Sequence, residues 1–342
     1  MVETPPNASQ PIPRDVMVHG GMISAMKALY PVVAGAWLDL STGINPVPYP
    51  LSALDETANT RLPDEADLAA LQRVAAEAYG AANPEFVVAF PGTEILVSLL
   101  PRLLAMSGAR VAVMSPTYSS HAASWRAAGY EVAEVSSLSA LAEHDVAVLC
   151  NPNNPNGRVY ERSALLDVAA MVKLLVVDEA FADLEPHVES MSACLPHPRV
   201  LVMRSFGKTY GLAGVRLGFA LTSTDRAAWL RGAIGSWAVS GQALAAGLHS
   251  LPDATWLHKT RRRLDGEIVR LDTLLAGQGF SLVGGTRLFR LYRHANAWGL
   301  WHHLAMQGIL TRRFQGQQDW LRFGLPGSEG DWQRLDTALQ QP

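Results

Sequence analysis

One lysine of the sequence, Lys208, stands in a run of small residues, SFGKTYGLAG, directly after an apolar stretch typical of a buried strand. A lysine at such a strand end loses hydration, which lowers its pKa and makes a neutral, nucleophilic amine accessible. An amine of this kind can form a Schiff base. Ser205 and Arg216 flank the lysine, and both are good phosphate ligands. The segment therefore predicts a reactive lysine beside an anion site.

Two further polar groups follow apolar runs of strand length. Asp178 ends KLLVVD, and a carboxylate that enters an apolar sheet is costly unless a cation or strong donor pairs with it. In isolation, a helix cap or an ordinary salt bridge explains this aspartate equally well. The run VAVLC leads into NPNNPNGR (151–158), a rigid polar turn in which an asparagine could bond a ring oxygen of a ligand.

The segment PGTEI (91–95) joins a strand-like run to a helical one. Gly92 permits close backbone approach, and Thr93 and Glu94 would open a helix whose free N–H groups suit a phosphate. An ordinary turn with a threonine cap is the alternative. Tyr118, which follows the next strand-like run, could stack on a flat ligand ring or simply pack.

Together these strand ends offer a lysine, a carboxylate, an amide, an aromatic ring and phosphate donors. Pyridoxal phosphate (PLP) needs a lysine for its aldehyde and a carboxylate that keeps its ring nitrogen protonated. It also needs a donor for its ring oxygen, a stacking partner and a phosphate cradle. Each alternative explanation survives alone, but the joint occurrence of all five groups in this order favours PLP.

The elements that must position these groups alternate along the chain from about residue 85. Short β-branched runs are separated by helical stretches, which is typical of a mostly parallel sheet flanked by helices in an α/β domain. Ligands bind such sheets outside the carboxyl ends of the strands. After residue 225, helical stretches lead into a strand–helix–strand–strand–helix pattern, which predicts a smaller α+β domain at the C-terminus.

The composition is that of a globular, enzyme-sized chain of 342 residues. Lys and Arg total 28 against 31 Asp and Glu, a net charge of −3, and no basic stripe indicates a nucleic-acid partner. No segment has the roughly 18 apolar residues of a membrane span, and the N-terminus lacks a hydrophobic region of signal-peptide length. Cys150 and Cys194 have no metal-like spacing, so we expect a reducing cytoplasm and no metal site.

Three segments, NPNNPNG, VVDEAF and SFGKTYGLAGVRLG, together resemble the motif series of fold-type I PLP enzymes in the class I/II aminotransferase superfamily. Within it, the chain is most similar to the branch of histidinol-phosphate aminotransferases and threonine-phosphate decarboxylases. Three softer segments resemble the decarboxylases of cobalamin biosynthesis: VHGG (18–21), DLSTGINPVPYP (39–50) and WLRFGLPG (320–327). The resemblance covers nearly the whole chain from about residue 18.

The resemblance implies a role for each cofactor residue. Lys208 matches the Schiff-base lysine, and Asp178 matches the partner of the pyridinium nitrogen. Asn154 matches the asparagine that bonds the ring oxygen, and Tyr118 matches the stacking aromatic. The phosphate-binding set comes from the turns after two of the predicted strands: Gly92, Thr93, Glu94, Ser205 and Arg216.

For the substrate, the resemblance implies two arginines and an N-terminal segment. Arg322 in WLRFG matches the arginine that binds the substrate carboxylate. The planar guanidinium of an arginine binds a carboxylate through two hydrogen bonds, which suits this role better than a lysine does. Arg312 or its neighbour Arg313 matches the arginine that meets the substrate phosphate, and the sequence leaves that choice open. His19 and Gly20 match the segment that closes over phosphorylated substrate.

Some positions depart from the family pattern. Phe181, three residues after Asp178, stands where many relatives have a tyrosine that donates to the ring oxygen. Leu62 stands where many have a tyrosine that reaches the partner subunit's cofactor phosphate. Gly43 stands where some decarboxylases have a substrate-facing asparagine, and we expect both Gly43 and Asn154 to contact the substrate.

The expected organisation is an N-terminal segment closing over the active site (1–40), a large PLP-binding domain (41–225), and linking helices with a small domain (226–342). The resemblance also implies a homodimer. The expected reaction is PLP-dependent decarboxylation of L-threonine O-3-phosphate to (R)-1-aminopropan-2-ol O-phosphate in cobalamin biosynthesis. A histidinol-phosphate-type aminotransferase is the alternative enzyme, and a PLP-binding regulatory protein is the non-enzymatic alternative.

Overall fold

The computed structural model describes residues 20–51, 57–104 and 106–340. Their contacts form two compact units. The large unit is Pro48–Lys259, and the small unit joins the described residues through Val47 to those from Thr260 onward. Among these described residues, no helix is both long enough and apolar enough to cross a membrane.

The strands, numbered in chain order, are β1 (Leu38–Asp39), β2 (Val87–Phe90), β3 (Val111–Met114), β4 (Val132–Val135), β5 (Val146–Cys150), β6 (Leu174–Asp178), β7 (Val200–Ser205), β8 (Gly218–Thr222), β9 (Ser281–Thr286), β10 (Phe289–Arg293), β11 (Ile309–Leu310), β12 (Arg312–Phe314) and β13 (Gln317–Phe323). The α-helices are α1 (Ile23–Leu29), α2 (Thr57–Thr60), α3 (Glu65–Tyr79), α4 (Thr93–Leu104), α5 (Ser119–Ala127), α6 (Leu138–Ala142), α7 (Arg162–Met171), α8 (Phe206–Thr209), α9 (Thr224–Ile234), α10 (Gly241–Ser250), α11 (Ala254–Ala276), α12 (Ala297–Met306) and α13 (Glu329–Leu339). Short 3-10 turns cover Pro84–Phe86, Met191–Cys194 and Ala213–Val215.

The large unit is built on a seven-stranded sheet with the order β2-β8-β7-β6-β5-β3-β4. The strand pairs from β7 to β4 are parallel, whereas β8 is antiparallel to both of its neighbours. Strand β2 therefore runs in the same direction as β7, and its carboxyl end lies at the same edge of the sheet. The structure confirms the predicted α/β fold with a mostly parallel sheet.

The central strands are apolar on both faces because helices cover both faces of the sheet. Along β5, Ala147 and Leu149 pack into one core cluster, while Val146 and Val148 pack into another. Side chains of α3, α7 and α10 complete the first cluster, and side chains of α4, α5 and α9 complete the second. This two-sided burial explains why these strands are continuous apolar runs rather than alternating ones.

The five predicted core strands are confirmed as β2, β3, β5, β6 and β7. The sequence did not predict β4 or β8. Strand β4 lies at the edge of the sheet, is partly exposed and contains Glu134, so it lacks a continuous apolar run. Strand β8 begins two positions after Arg216, close behind a glycine-rich stretch.

The small unit contains a four-stranded antiparallel sheet of order β12-β13-β10-β9 and a short parallel pair, β1 with β11. Helix α12 packs against β11 and β13. The C-terminal α+β region predicted from the sequence is therefore present.

The two units divide the chain at other positions than the predicted boundaries at residues 40 and 225. Helix α9 contacts β2 and β8, and α10 contacts α3, so both helices are part of the large unit. Strand β1 pairs with β11, which ties the described residues through Val47 to the C-terminal region.

Candidate active site

The carboxyl ends of the central strands of the large unit lie side by side at one edge of the sheet. Cys150 at the end of β5 is in register with Asp178 at the end of β6. Phe90 of β2 and Ser205 of β7 are both in register with Gly218 of β8. Because adjacent strands are about 4.8 Å apart, the turns that follow Phe90 and Ser205 start about two strand spacings from each other.

Asp178 is buried and forms charge-assisted hydrogen bonds. Its Oδ2 lies 3.0 Å from Nε2 of His121, a buried residue of α5, and its Oδ1 accepts from the Ala180 N–H at 3.0 Å. Burial raises the pKa of Asp178, but the hydrogen bond and charge of His121, followed by the charge of Lys208, outweigh burial and lower it. Asp178 is therefore ionised at neutral pH.

His121 is the main site residue that sequence reasoning missed. Burial lowers its pKa, but the interactions with Cys150 and Asp178 outweigh burial and raise the pKa of His121 to about 10. The pair is thus an imidazolium and a carboxylate inside the protein. The signal available in the sequence was the spacing of Tyr118 and His121, which places both at the start of one helix, where their rings meet edge to face at 6.0 Å.

Cys150 adds a third potential ligand to this pair. Ligand atoms of His121, Cys150 and Asp178 all lie within 4.8 Å of one another, a grouping of metal-binding residue types. The three residues come from α5, β5 and β6, so no spacing in the sequence could show the grouping. The direct bond between His121 and Asp178 accounts for two of the three groups without a metal.

The turn before α4 is shaped so that the backbone approaches its neighbours closely. Gly92 has φ +92°, and a Cβ at this position would lie 2.9 Å from Cζ of Arg216. A Cβ on Gly218 would lie 2.7 Å from the backbone nitrogen of Thr93, the first residue of α4. Only glycine fits these two positions without a shift of the neighbouring atoms. The N-terminus of α4 and the Arg216 guanidinium therefore share one small region, which suits an anion.

Lys208 lies in the one-turn helix α8, directly after β7. Its Nζ donates to Ser205 Oγ at 3.2 Å and lies 5.2 Å above the centre of the Phe181 ring. The phenylalanine that replaces the family's tyrosine thus offers a ring face to the lysine, which is a cation–π contact. Lysine, serine and arginine of the same segment converge on the edge at which Asp178 ends its strand.

Tyr118 and Glu94 contact each other across two helix starts. The Tyr118 hydroxyl donates to Glu94 Oε2 at 2.9 Å. Burial raises the pKa of Tyr118, so the hydroxyl stays protonated and remains a donor. Glu94 therefore fixes the tyrosine ring, a positional role that the sequence did not show.

The asparagine-rich turn after β5 uses several of its amides to hold itself in place. Asn151 donates to the Tyr160 carbonyl at 3.1 Å and accepts from the Tyr160 N–H at 2.9 Å. Asn153 donates to the Pro116 carbonyl at 3.0 Å and to Asn156 Oδ1 at 2.8 Å. These hydrogen bonds hold the turn in the rigid form that the sequence predicted. Asn154, within this turn, is half-buried.

In the small unit, the strand register distinguishes the two neighbouring arginines. Arg312 of β12 is directly opposite Arg322 of β13, and Arg313 is opposite Leu321. Directly opposed residues share a face of the sheet, and successive residues alternate. Arg312 and Arg322 therefore lie on one face and Arg313 on the other.

Arg313 is packed among aromatic rings on its own face. Its guanidinium lies 4.5 Å from the ring centre of Trp298 and 4.1 Å from that of Trp301. Burial lowers the pKa of Arg313 to about 10. Arg313 is therefore a buried cation whose aromatic contacts link β12 to α12.

The other predicted substrate residues of the small unit meet around Ser41. Arg322 donates to the Ser41 carbonyl at 2.7 Å, and a Cβ on Gly20 would lie 2.6 Å from the same oxygen. Gly43 is buried two positions further along this segment. His19 lies outside the described residues, so its predicted role stays a prediction.

A family model, Aminotransferase class I and II, matches residues 37–339 of the chain. The chain belongs to this family. The family predicted from the sequence is thereby confirmed.

Similar proteins come from both curated sequences and solved structures. The chain is 40% identical to the threonine-phosphate decarboxylase of Pseudomonas aeruginosa, over 95% of this chain and 97% of that protein. It is 41% identical to the threonine-phosphate decarboxylase of a Sinorhizobium species, over 94% of this chain and 97% of that protein. A solved histidinol-phosphate aminotransferase from Sinorhizobium meliloti, in complex with pyridoxal-5'-phosphate, has a TM-score of 0.83 and covers 97% of this chain and 94% of its own. At 20% identity, the latter similarity shows the fold alone.

Proposed function

We propose that this protein is a PLP-dependent decarboxylase that converts L-threonine O-3-phosphate to (R)-1-aminopropan-2-ol O-phosphate in cobalamin biosynthesis. The observation that carries the proposal is the 40% and 41% identity to curated threonine-phosphate decarboxylases along nearly the full length of both chains. Similarity of this extent in a PLP-enzyme family, together with a lysine and an ionised aspartate at one sheet edge, favours an enzyme over a regulatory protein.

The residues of the large unit fit PLP. The turn at Gly92, the start of α4 at Thr93 and the side chains of Ser205 and Arg216 would hold the phosphate, because Gly92 lies beside the Arg216 guanidinium at the N-terminus of α4. Lys208 is the residue to which the cofactor aldehyde would attach. Tyr118 would stack on the ring, with Glu94 fixing its hydroxyl.

One carboxylate and one amide would bind the PLP ring. The ionised Asp178, held by His121, would keep a proton on the ring nitrogen, and Asn154 would donate to the ring oxygen. When bound, PLP supplies an electron sink for the pair left on the substrate carbon after carbon dioxide departs. The protein's part is to hold the proton at the ring nitrogen and to orient the substrate.

The substrate has two anionic ends, and the small unit has two arginines on one face. We assign the substrate carboxylate to Arg322 and the phosphate to Arg312, because these two share a face and Arg313 does not. A guanidinium group forms charge-assisted, bidentate hydrogen bonds with either a carboxylate or a phosphate. His19, Gly20 and Gly43 are proposed to line the same substrate.

A substrate comparison tests the proposal. The purified protein is incubated with L-threonine O-3-phosphate, and separately with histidinol phosphate plus 2-oxoglutarate. Carbon dioxide release in the first reaction, without any keto acid, supports decarboxylation. Formation of glutamate in the second reaction, without carbon dioxide release in the first, would instead make the protein an aminotransferase.

We further infer that the protein acts in the cytoplasm as a homodimer, without a nucleic-acid or membrane partner. This inference follows the family resemblance and the weak net charge of −3. Light scattering coupled to gel filtration tests it, since a single mass near that of one 36.9 kDa chain would contradict the dimer.

A further inference from the structure

One carboxylate of the large unit is bonded to both ends of the segment that carries Ser205 and Lys208. Arg204, directly before Ser205, donates from Nη1 to Asp183 Oδ1 at 2.8 Å. Thr209, directly after Lys208, donates from Oγ1 to Asp183 Oδ2 at 2.9 Å. Asp183 therefore bridges residues 204 and 209, with both cofactor side chains between them.

This bridge is buried and continues into a network of charges. Thr209 is fully buried, and the Arg204 and Asp183 side chains are 6% and 8% exposed. Arg204 also lies 3.3 Å from Glu179 through its Nε and sits over the Tyr79 ring at 4.8 Å. Hydrogen bonds that involve buried charges are stronger than neutral ones, and losing one partner leaves the others unsatisfied.

The segment that this bridge holds has little regular structure of its own. Helix α8 is a single turn of four residues, and isolated helices of this length are unstable because nucleation is costly. Two backbone hydrogen bonds connect this turn to the residues after it. The Tyr210 N–H donates to the Phe206 carbonyl at 3.3 Å, and the Leu212 N–H donates to the Gly207 carbonyl at 3.0 Å. The position of Lys208 therefore depends on contacts from outside the turn.

We propose that Asp183 is a positioning residue that fixes the Lys208 turn against the end of β7, and that the Thr209 hydroxyl is the link through which it holds the turn. The inference rests on the proposed role of Lys208 as the cofactor lysine. It predicts that loss of this one hydroxyl affects how PLP is held, beyond its effect on folding stability.

The chain offers a matched control. Thr222 of β8 is also fully buried; its Oγ1 donates to the Val200 carbonyl at 2.7 Å and accepts from Arg226 at 3.1 Å. Thr209→Val and Thr222→Val each remove one buried hydroxyl at nearly constant volume, but only the first touches the segment 204–209. Thr209→Ser restores the hydroxyl and serves as the rescue variant.

Three readouts are measured on the full-length, PLP-loaded protein. They are the PLP dissociation constant, the midpoint pH of the visible absorption band, and the hydrogen exchange of the Tyr210 and Leu212 amides. We expect Thr209→Val to weaken PLP binding about three- to tenfold, to shift the midpoint pH and to speed exchange at both amides. Thr222→Val and Thr209→Ser are expected to stay within about twofold of the unmodified protein in PLP affinity.

Two results overturn the proposal. One is a Thr209→Val protein with unmodified PLP affinity, midpoint pH and exchange, and the other is a Thr222→Val protein that shows the same changes as Thr209→Val. If Thr209→Val does not fold, Thr209→Ala is measured under the same criteria, since alanine removes the hydroxyl without adding a methyl group. None of these readouts uses decarboxylation, so failure of the proposed function, seen as no carbon dioxide release, is a separate result.

Discussion

The charged side chains of the candidate sites are arranged differently in the two units. In the large unit, buried charges lie beside charges of opposite sign: Asp178 beside His121, and Arg204 beside the two carboxyl groups of Asp183 and Glu179. In the small unit, two arginines of the same sign, Arg312 and Arg322, stand directly opposite each other on neighbouring strands. Ion pairs inside the protein hold a geometry in place whether or not a ligand is present. Two guanidinium groups on one face of a sheet suit an anionic ligand.

This difference matches the division of labour proposed above. A cofactor that stays in place needs a rigid site, and ion pairs of the large unit hold the residues that we propose for it. A substrate that carries a carboxylate and a phosphate binds anew at each turnover, and Arg312 and Arg322 are the residues that we propose to bind it.

Lys208→Ala is expected to remove the visible absorption band of the PLP-loaded protein and to reduce carbon dioxide release by at least about 1,000-fold. The reason is that no other amine is proposed to attach the cofactor. Absorption spectroscopy after PLP loading checks this. A purified variant that keeps the band would show that the large unit is not the cofactor site we describe.

Arg312→Gln is expected to raise the KM for L-threonine O-3-phosphate about 10- to 100-fold, since a charge-assisted bond to the phosphate is lost. Arg313→Gln makes the same chemical change on the opposite face of the sheet. We expect it to leave the KM within about twofold and to lower the free energy of unfolding instead, because its contacts are the Trp298 and Trp301 rings. Steady-state kinetics on both variants measures the KM. If Arg313→Gln raised the KM and Arg312→Gln did not, the substrate phosphate would have to be assigned to Arg313 instead of Arg312.

The His121–Asp178 pair predicts a pH dependence of stability. The pKa of His121 is raised in the folded protein to about 10, so its stabilising contribution is complete below its unfolded value of about 6.5 and is lost as pH rises toward 10. The pKa of Asp178 is lowered, so its contribution is present above its unfolded value of about 3.9 and is lost as pH falls below it.

Denaturant unfolding of the cofactor-free protein between pH 6.5 and 10 measures this effect. We expect the free energy of unfolding to fall by on the order of 2 kcal/mol across this range, and His121→Gln to show a flatter dependence. Equal slopes for the two proteins would mean that His121 is not charged in the folded state.

Phe181→Tyr is expected to change activity least, within about threefold, because the ring face that lies 5.2 Å from Lys208 Nζ is retained. The added hydroxyl restores the donor that many relatives have. The ratio of kcat/KM for the two proteins checks this. A loss greater than tenfold would indicate that this position has no room for a hydroxyl.

Much of the fold and of the cofactor site could be predicted from the sequence. The apolar runs that end at Asp178 and Ser205 are strands because both of their faces are buried, and burial leaves a clear pattern along the chain. Edge strand β4 was missed because one of its sides is exposed and Glu134 interrupts the pattern. Its place in the sheet depends on pairing with β3, which is a non-local contact.

Local residue patterns were enough to place a lysine, an aspartate, an asparagine turn and a glycine before a helix at the ends of predicted strands. The way in which these groups are held became visible in the folded chain. His121 reaches Asp178 across a helix and a strand, Asp183 bridges Arg204 and Thr209, and the register of β12 against β13 separates Arg312 from Arg313. The physical reason is that side-chain partners and strand register depend on contacts between segments distant in the chain, which local residue patterns do not encode.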